Sequence, residues 1–388
     1  MKILLVHSGA DLYGASRSCQ RLAARLHADG HGVTVVLPSG GPLRDDLHRR
    51  GVDVRVREGL SLLDRRSFRT TRGRLTLPLR VIRSTAFLCG MIRRSRPDLV
   101  HCNTATVFLC GGLAARLCGL PHVWHVREDF GDFPTLWRLY RPLIQALADR
   151  IVCVSEFATG QFGDGPIRQK LRVLHNGFPR EEFAPVSAAR MRAFRRTYSL
   201  NGAPLVALIG RVNTFRKGQL GFVEAAHSLS SEFPNARFLL VGSPFPGNES
   251  HLEQVRRRIR ELRVERSVVY TGDVDDIQAV YQTADIVVQA SDMPEGFPGV
   301  VVEAMACGKP VVGTQLGGTL EQIVDGETGL LIEPGKPAAL ADAIGRLLRD
   351  VELRQRMGEN GRRRFLERFE FERFYARMLD IYRGLLGA

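Results

Sequence analysis

Short runs of branched apolar residues alternate with helical patterns along almost the whole chain. This alternation is the tightest constraint on its fold. In the first half the runs are KILLVH, VTVVLP, VDVRVR, DLVHCN, HVWHV and RIVCVS. In the second half they are PLVALIG, ARFLLVG, SVVYTG, DIVVQAS, PVVGT and GLLIE. Segments 17–28, 134–148, 220–232, 251–262 and 276–283 carry helical periodicity between them. Such spacing predicts parallel sheets covered on both faces, an α/β class. Eleven or more strands overfill one doubly wound sheet, so two Rossmann-like domains are expected.

A length of 388 residues agrees with two domains. The periodicity breaks at 175–190, where Gly177, Pro179 and Pro185 fall. The expected division is 1–182, 183–368 and a tail, 369–388. Segment 351–386 is helical with no strand after it, free to cap one domain or to cross back to the other.

The hydrophobic fraction, 44%, and the charged fraction, 25%, are those of ordinary soluble chains. No apolar run approaches the length of a membrane span. The start, MKILLVHSGA, reads as a first strand and not as a signal peptide, which predicts a cytoplasmic chain. The seven cysteines form no C-x-x-C pair and read as small buried residues, not as disulfides or a zinc site.

A net charge of +14 implies an anionic partner: nucleotide, nucleic acid or membrane surface. No recognised nucleic-acid motif is present. Arginine crowds 65–96, with Arg65, Arg66, Arg69, Arg72, Arg74, Arg80, Arg83, Arg93, Arg94 and Arg96. This arm is either a solvated basic face around a buried helix at 85–92, or a peripheral contact with anionic lipid on the inner face of a membrane.

EGFPGVVVEAMACGKPVV begins at Glu295. Pro298 suits the first position of a helix, Gly308 its C-terminal stop, and PVVGT a buried strand. Free N–H groups at such a start form an anion site. Glu295 and Glu303 flank it. Carboxylates accept from hydroxyls and repel phosphate, so a ligand with a central phosphate and hydroxyls at both ends fits, as a nucleotide sugar does. Alternatively, Glu295 favours a helix N-terminus and Glu303 faces solvent.

The loop after PLVALIG places Arg211 and Lys217 as cations without carboxylate neighbours. Both loops follow parallel strands, whose carboxyl ends are where ligands bind. Two cations beside a helix start make a diphosphate site. In the first half, SGADLYGAS offers Gly9 and Gly14 for close backbone approach and Ser16 as a helix cap. WHVRED puts His125 and Arg127 at a strand's end. DVDD, 273–276, reads as a helix cap before it reads as a metal cluster.

Taken together, YGASRS, HVRE, VLHNGF, GRVNTFRKG, EGFPGVVVEAMACGKPVVGTQLGG and DGETGLLIEPG strongly resemble the retaining glycosyltransferases of family 4. The resemblance covers nearly the whole chain. It implies a GT-B fold, with two Rossmann-like domains facing a cleft and a C-terminal helix returning to the first. It implies that Glu295 contacts the donor sugar and Glu303 the ribose, and that Arg211 and Lys217 hold the diphosphate. It implies that His125 lies near the transferred sugar and Gly14 near the phosphates. The family's second glycine is Ala15 here. Pro298 replaces a common glycine, so the N–H groups of Gly299 and Val300 must serve the phosphate. Gly296 and Phe297 complete the donor loop, and Tyr13, Ser16 and Arg127 are acceptor-side candidates.

The activity so implied is transfer from a UDP- or GDP-sugar to a glycan, lipid-linked or small-molecule acceptor, such as in surface-polysaccharide synthesis. Neither metal nor cofactor is implied, because protein cations stabilise the leaving diphosphate. The rival expectations are a GT-B nucleotide-sugar epimerase, a glycosidase and a non-catalytic basic binding protein. A glycosidase needs two carboxylates facing one bond, and here the pair flanks a phosphate site.

Overall fold

The computed structural model of the protein describes residues 1–60, 71–127, 134–200 and 202–387. The chain divides into two compact units, Met1–Asn176 with Phe374–Ala388, and Gly177–Arg373.

The first unit holds a parallel sheet of β1 (Lys2–Val6), β2 (Gly32–Leu37), β3 (Asp53–Val56), β4 (Leu99–Cys102), β5 (His122–Val126), β6 (Arg150–Cys153) and β7 (Leu171–Val173). Their order is β3-β2-β1-β4-β5-β6-β7. In the second unit β8 (Leu205–Ile209), β9 (Arg237–Val241), β10 (Val268–Gly272), β11 (Ile286–Gln289), β12 (Val311–Thr314) and β13 (Gly329–Ile332) stand in the order β10-β9-β8-β11-β12-β13. Both are doubly wound. The order reverses between β1 and β4, and again between β8 and β11. Those two points are where such sheets open a ligand crevice.

Helices on both faces explain the unbroken apolar runs. β4, β5, β11 and β12 are buried at every position. Phe222 on helix Gln219–Leu229 and Ile344 on helix Pro337–Arg349 join Val206, Phe238 and Val288 in the second core. Full burial of each such side chain stabilises by about 1.5–3 kcal/mol. Among the strands of the described residues the sequence pattern misses β7 alone, a three-residue edge strand with no fully buried position.

Helix Phe371–Leu386 lies largely within the first unit. There Phe374 stacks on His125, and the buried Tyr382 hydroxyl lies 2.6 Å from His101 Nδ1.

Helix Thr71–Ser95 buries Val81, Ser84, Thr85, Leu88, Cys89 and Ile92, one face at helical spacing. Its first half differs: Leu75 is 77%, Leu79 50% and Ile82 64% exposed. The sequence shows no apolar run of spanning length, because Arg80 and Arg83 interrupt it. Leu75–Ser95 nevertheless has the length and composition to cross a membrane, with a mean hydropathy of 1.3. Arg65, Arg66 and Arg69 lie outside the described residues, as do the side chains of Arg72 and Arg74.

Candidate functional site

Two loops leave the carboxyl ends of β8 and β11, on either side of the second unit's switch point. They are locked together. Gly218 has φ 67°, and a Cβ there would stand 1.8 Å from the Ala290 carbonyl oxygen, so only glycine lets the first loop press onto the end of β11. The Asp292 N–H donates to Arg216 O at 2.9 Å. Gln219 Nε2 donates to Arg211 O at 2.9 Å and closes the first loop.

This convergence corrects one expectation. Lys217 has a carboxylate neighbour, since its Nζ donates to Glu295 Oε2 at 2.5 Å. The neighbour is distant in sequence and becomes close only through the order of β8 and β11. Glu295 Oε1 accepts from Gln289 Nε2 at 3.1 Å and from Ser291 Oγ. Burial pushes the Glu295 carboxyl up. The Lys217 charge, with hydrogen bonds from Lys217, Ser291 and Gln289, outweighs burial and holds the group below the usual carboxylate range. The Arg211 guanidinium lies over the Phe245 ring, 3.4 Å from its centroid.

Helix Gly299–Ala306 follows. Pro298 is its N-cap and not its first residue, and gives no side-chain cap. The first N–H groups, including those of Gly299 and Val300, therefore lack intrahelical acceptors. Gln322 Nε2 pins the Pro298 carbonyl at 3.0 Å. The helix stops as expected: Gly308 has φ 66°, and the Lys309 N–H donates to Ala304 O at 2.9 Å. Gly296 and Phe297 are buried, and Phe297 packs on Phe369, so these two residues offer backbone and not side chains. Glu303 Oε2 accepts from the Tyr281 hydroxyl at 2.5 Å.

The sequence reading did not single out Tyr281, Gln289, Ser291, Gly317 or Gly318. The glycines left a signal in TQLGG. A Cβ on Gly317 would stand 2.4 Å from Glu295 O, and one on Gly318 would stand against the Gly296 carbonyl oxygen. The acidic run at 273–276 resolves as a cap: Asp276 accepts from the Ala279 N–H and pairs with Arg190 at 2.6 Å. Among the described residues no group of three or more His, Cys, Asp and Glu could hold a metal ion.

In the first unit, residues after β1, β4 and β5 meet at that sheet's switch point. Ser16 is not a cap. Helix Gly14–Ala28 starts earlier, with Tyr13 as N-cap, and Ser16 donates to Asp11 Oδ1 at 2.9 Å. Its hydroxyl also lies 3.0 Å from His7 Nε2. A Cβ on Gly14 would meet nothing within 4 Å, so the approach to that helix start is open. Tyr13 is exposed. Arg127 donates to Asn103 O, Asn103 Oδ1, Ser18 Oγ and Asn176 Oδ1 at 2.6–3.1 Å.

His125 is fully buried between His101 and Phe374. Arg127 Nη2 lies 3.3 Å from its Nδ1. An arginine only donates, so Nδ1 accepts and Nε2 carries the proton. Among the described residues that Nε2 has no hydrogen-bond partner. Burial, then the charge of Arg127 and the proximity of His101, push the His125 pKa well below its ordinary value, so the ring is neutral.

Two family models match the chain: Glycosyltransferase Family 4 over residues 13–182, and Glycosyl transferases group 1 over residues 191–364. EpsD of Bacillus subtilis (strain 168), classed by name with the glycosyltransferases, is 30% identical over 305 residues, 74% of this chain and 76% of that protein. The GDP-mannose-dependent alpha-(1-6)-phosphatidylinositol monomannoside mannosyltransferase of Mycolicibacterium smegmatis is 30% identical over 247 residues, 61% of this chain and 63% of that protein. Among solved structures, Anabaena HepE in complex with UDP matches with a TM-score of 0.85 at 23% identity, covering 99% of this chain and 100% of that one. That likeness is one of fold.

Proposed function

The chain belongs to glycosyltransferase family 4, with a GT-B fold, and from that membership we propose that it moves a sugar, with retention, from a UDP- or GDP-sugar to an acceptor hydroxyl. The observation that carries this reading is the Lys217–Glu295 pair at the β8/β11 switch point, with Glu295 four residues before a helix start whose first N–H groups lack intrahelical acceptors.

Breaking the sugar–phosphate bond leaves a nucleoside diphosphate and an oxocarbenium-like sugar. In this proposal Arg211, Lys217 and the N–H groups of Gly299 and Val300 stabilise the departing charge. Lys217 turns from Glu295 toward the diphosphate or bridges the two. Glu295, fixed by Gln289 and Ser291, accepts from hydroxyls of the donor sugar. Glu303 accepts from the ribose. Protein cations take the place a divalent metal would otherwise hold. The leaving phosphate accepts the acceptor's proton as the new bond forms on the same face.

Within the first unit, Gly14 leaves its helix start open, and Tyr13 and Arg127 are that unit's candidates for contact with an acceptor. The burial of His125 favours a supporting place for it beneath Arg127. The acceptor we favour is a glycan or a lipid-linked molecule. The mannosyltransferase relative carries phosphatidylinositol monomannoside in its name, and helix Thr71–Ser95 bears an exposed apolar stripe among arginines.

Turnover of UDP- and GDP-sugars in EDTA, with the product's anomeric proton read by NMR, tests the reaction. Retention at unchanged rate supports the proposal. Inversion, or loss of activity restored by a divalent metal, contradicts it.

A further inference from the structure

Tyr281 and Glu303 stand on two different helices, Ile277–Thr283 and Gly299–Ala306. The Tyr281 side chain is 1% exposed, and its hydroxyl donates to Glu303 Oε2 at 2.5 Å. No other described residue gives the Glu303 carboxylate a hydrogen bond. Its second oxygen, Oε1, lies 3.7 Å from the point where Gly299 would carry a Cβ. The side chain therefore folds back along the first turn of its own helix. It runs toward the N–H groups that have no intrahelical acceptor.

We propose that Tyr281 is a positioning residue for the donor's ribose. It occupies Oε2 and presents Oε1 to the vicinal hydroxyl pair. This inference rests on the reading of Glu303 as the ribose ligand. A glutamate without such a partner samples several rotamers, and ordering it would fall to the ligand. The phenol orders it in advance. Its own helix is held in turn: Asp276 caps the first turn and pairs with Arg190. A carboxylate only accepts, so it selects hydroxyls and repels phosphate. The phosphate end and the ribose end of one ligand are thereby sorted along one helical turn, N–H groups first and carboxylate after.

The experiment is calorimetric titration of UDP, 2′-deoxy-UDP, GDP and 2′-deoxy-GDP into wild type, Tyr281→Phe, Glu303→Ala and the double variant. A hydrogen bond to a charged acceptor sets the scale, and wild type should prefer the ribonucleotide by about tenfold or more. Glu303→Ala should abolish that preference. Tyr281→Phe should reduce it several-fold, with affinity for the 2′-deoxy nucleotide and the melting temperature unchanged. Adding Tyr281→Phe to Glu303→Ala should change nothing further. If Tyr281→Phe keeps the full preference while Glu303→Ala loses it, the positioning inference falls and the ribose reading stands. If Tyr281→Phe weakens ribo and deoxy ligands equally, its place is structural and the inference falls. If Glu303→Ala keeps the preference, both fall.

Discussion

Lys217 Nζ lies 2.5 Å from Glu295 Oε2, although 78 residues separate them in the chain. The contact exists because β8 and β11 are neighbours in the sheet and both loops leave from the same end. Gly218 sets its closeness. Its positive φ and the Ala290 carbonyl leave no room for a Cβ. Gly218→Ala should therefore destabilise the second unit by at least about 1–3 kcal/mol. It should also lower turnover by separating Lys217 from Glu295. Denaturant unfolding and steady-state kinetics on the variant check this. Wild-type values in both would show that the loop relaxes without cost.

The two glutamates should fail differently. Glu295→Ala should lower turnover and sugar discrimination, because its contact lies beside the reacting carbon. Glu303→Ala should mainly weaken binding, including that of the bare nucleoside diphosphate. Reversed defects, measured by kinetics and titration on both variants, would exchange the two assignments.

Stability should fall as pH drops from about 6.5, before carboxylates titrate. Burial first, and the Arg127 charge second, hold His7 and His101 at about 3. Burial holds His122 at about 4 and His125 well below its ordinary value. These histidines stay neutral when folded and take up protons when unfolded at about 6.5. Each thus costs up to about 1.4 kcal/mol per pH unit between its two pKa values. Glu295 has the opposite origin and a lower window. Its depressed pKa gives stability that is present above the ordinary carboxylate value and lost as pH falls through the folded one. Unfolding free energies at pH 7, 6 and 5 should decline, with a shallower slope in His125→Gln. A flat profile over that range would contradict the buried neutral histidines.

Helix Thr71–Ser95 should bind anionic vesicles. Leu75, Leu79 and Ile82 are exposed at helical spacing, and Arg83, Arg93 and Arg94 are exposed on the same helix. Each basic residue near an anionic surface contributes about 1 kcal/mol, and the apolar stripe adds burial that salt does not screen. Flotation should show binding to anionic vesicles, weakened by salt and lost when the three apolar residues become Gln. Equal flotation of wild type and variant would leave the stripe as ordinary surface.

Much of this architecture is legible in the sequence. Strand runs show because both sheet faces are covered, and the stop at Gly308 shows because a positive φ calls for glycine. What stays hidden is partnership. Ser291 and Gln289 look like strand-end residues until the loop after β11 folds Glu295 back onto them, and Tyr281 looks like a helix residue until the fold brings its helix to Glu303. Lys217 looks unpaired until sheet order brings it to Glu295. Ser16 looks like a cap because its residue type favours one, yet Asp11 and His7 claim its hydroxyl. His125 shows in the sequence only as a residue at a strand's end, while the C-terminal helix, more than two hundred residues on, supplies the Phe374 ring that covers it.

The central claim is that the β8/β11 switch point binds a nucleoside diphosphate through protein cations. Calorimetry of UDP and GDP in EDTA, on wild type and on Arg211→Ala with Lys217→Ala, tests it most directly. Wild type should bind one of the two diphosphates. The double variant should remain folded and lose about a hundredfold or more in affinity, in keeping with about 1.5–3 kcal/mol for each hydrogen bond to a charged group, while the matching nucleoside without phosphates binds both proteins alike. Equal diphosphate affinity in wild type and variant would contradict the account.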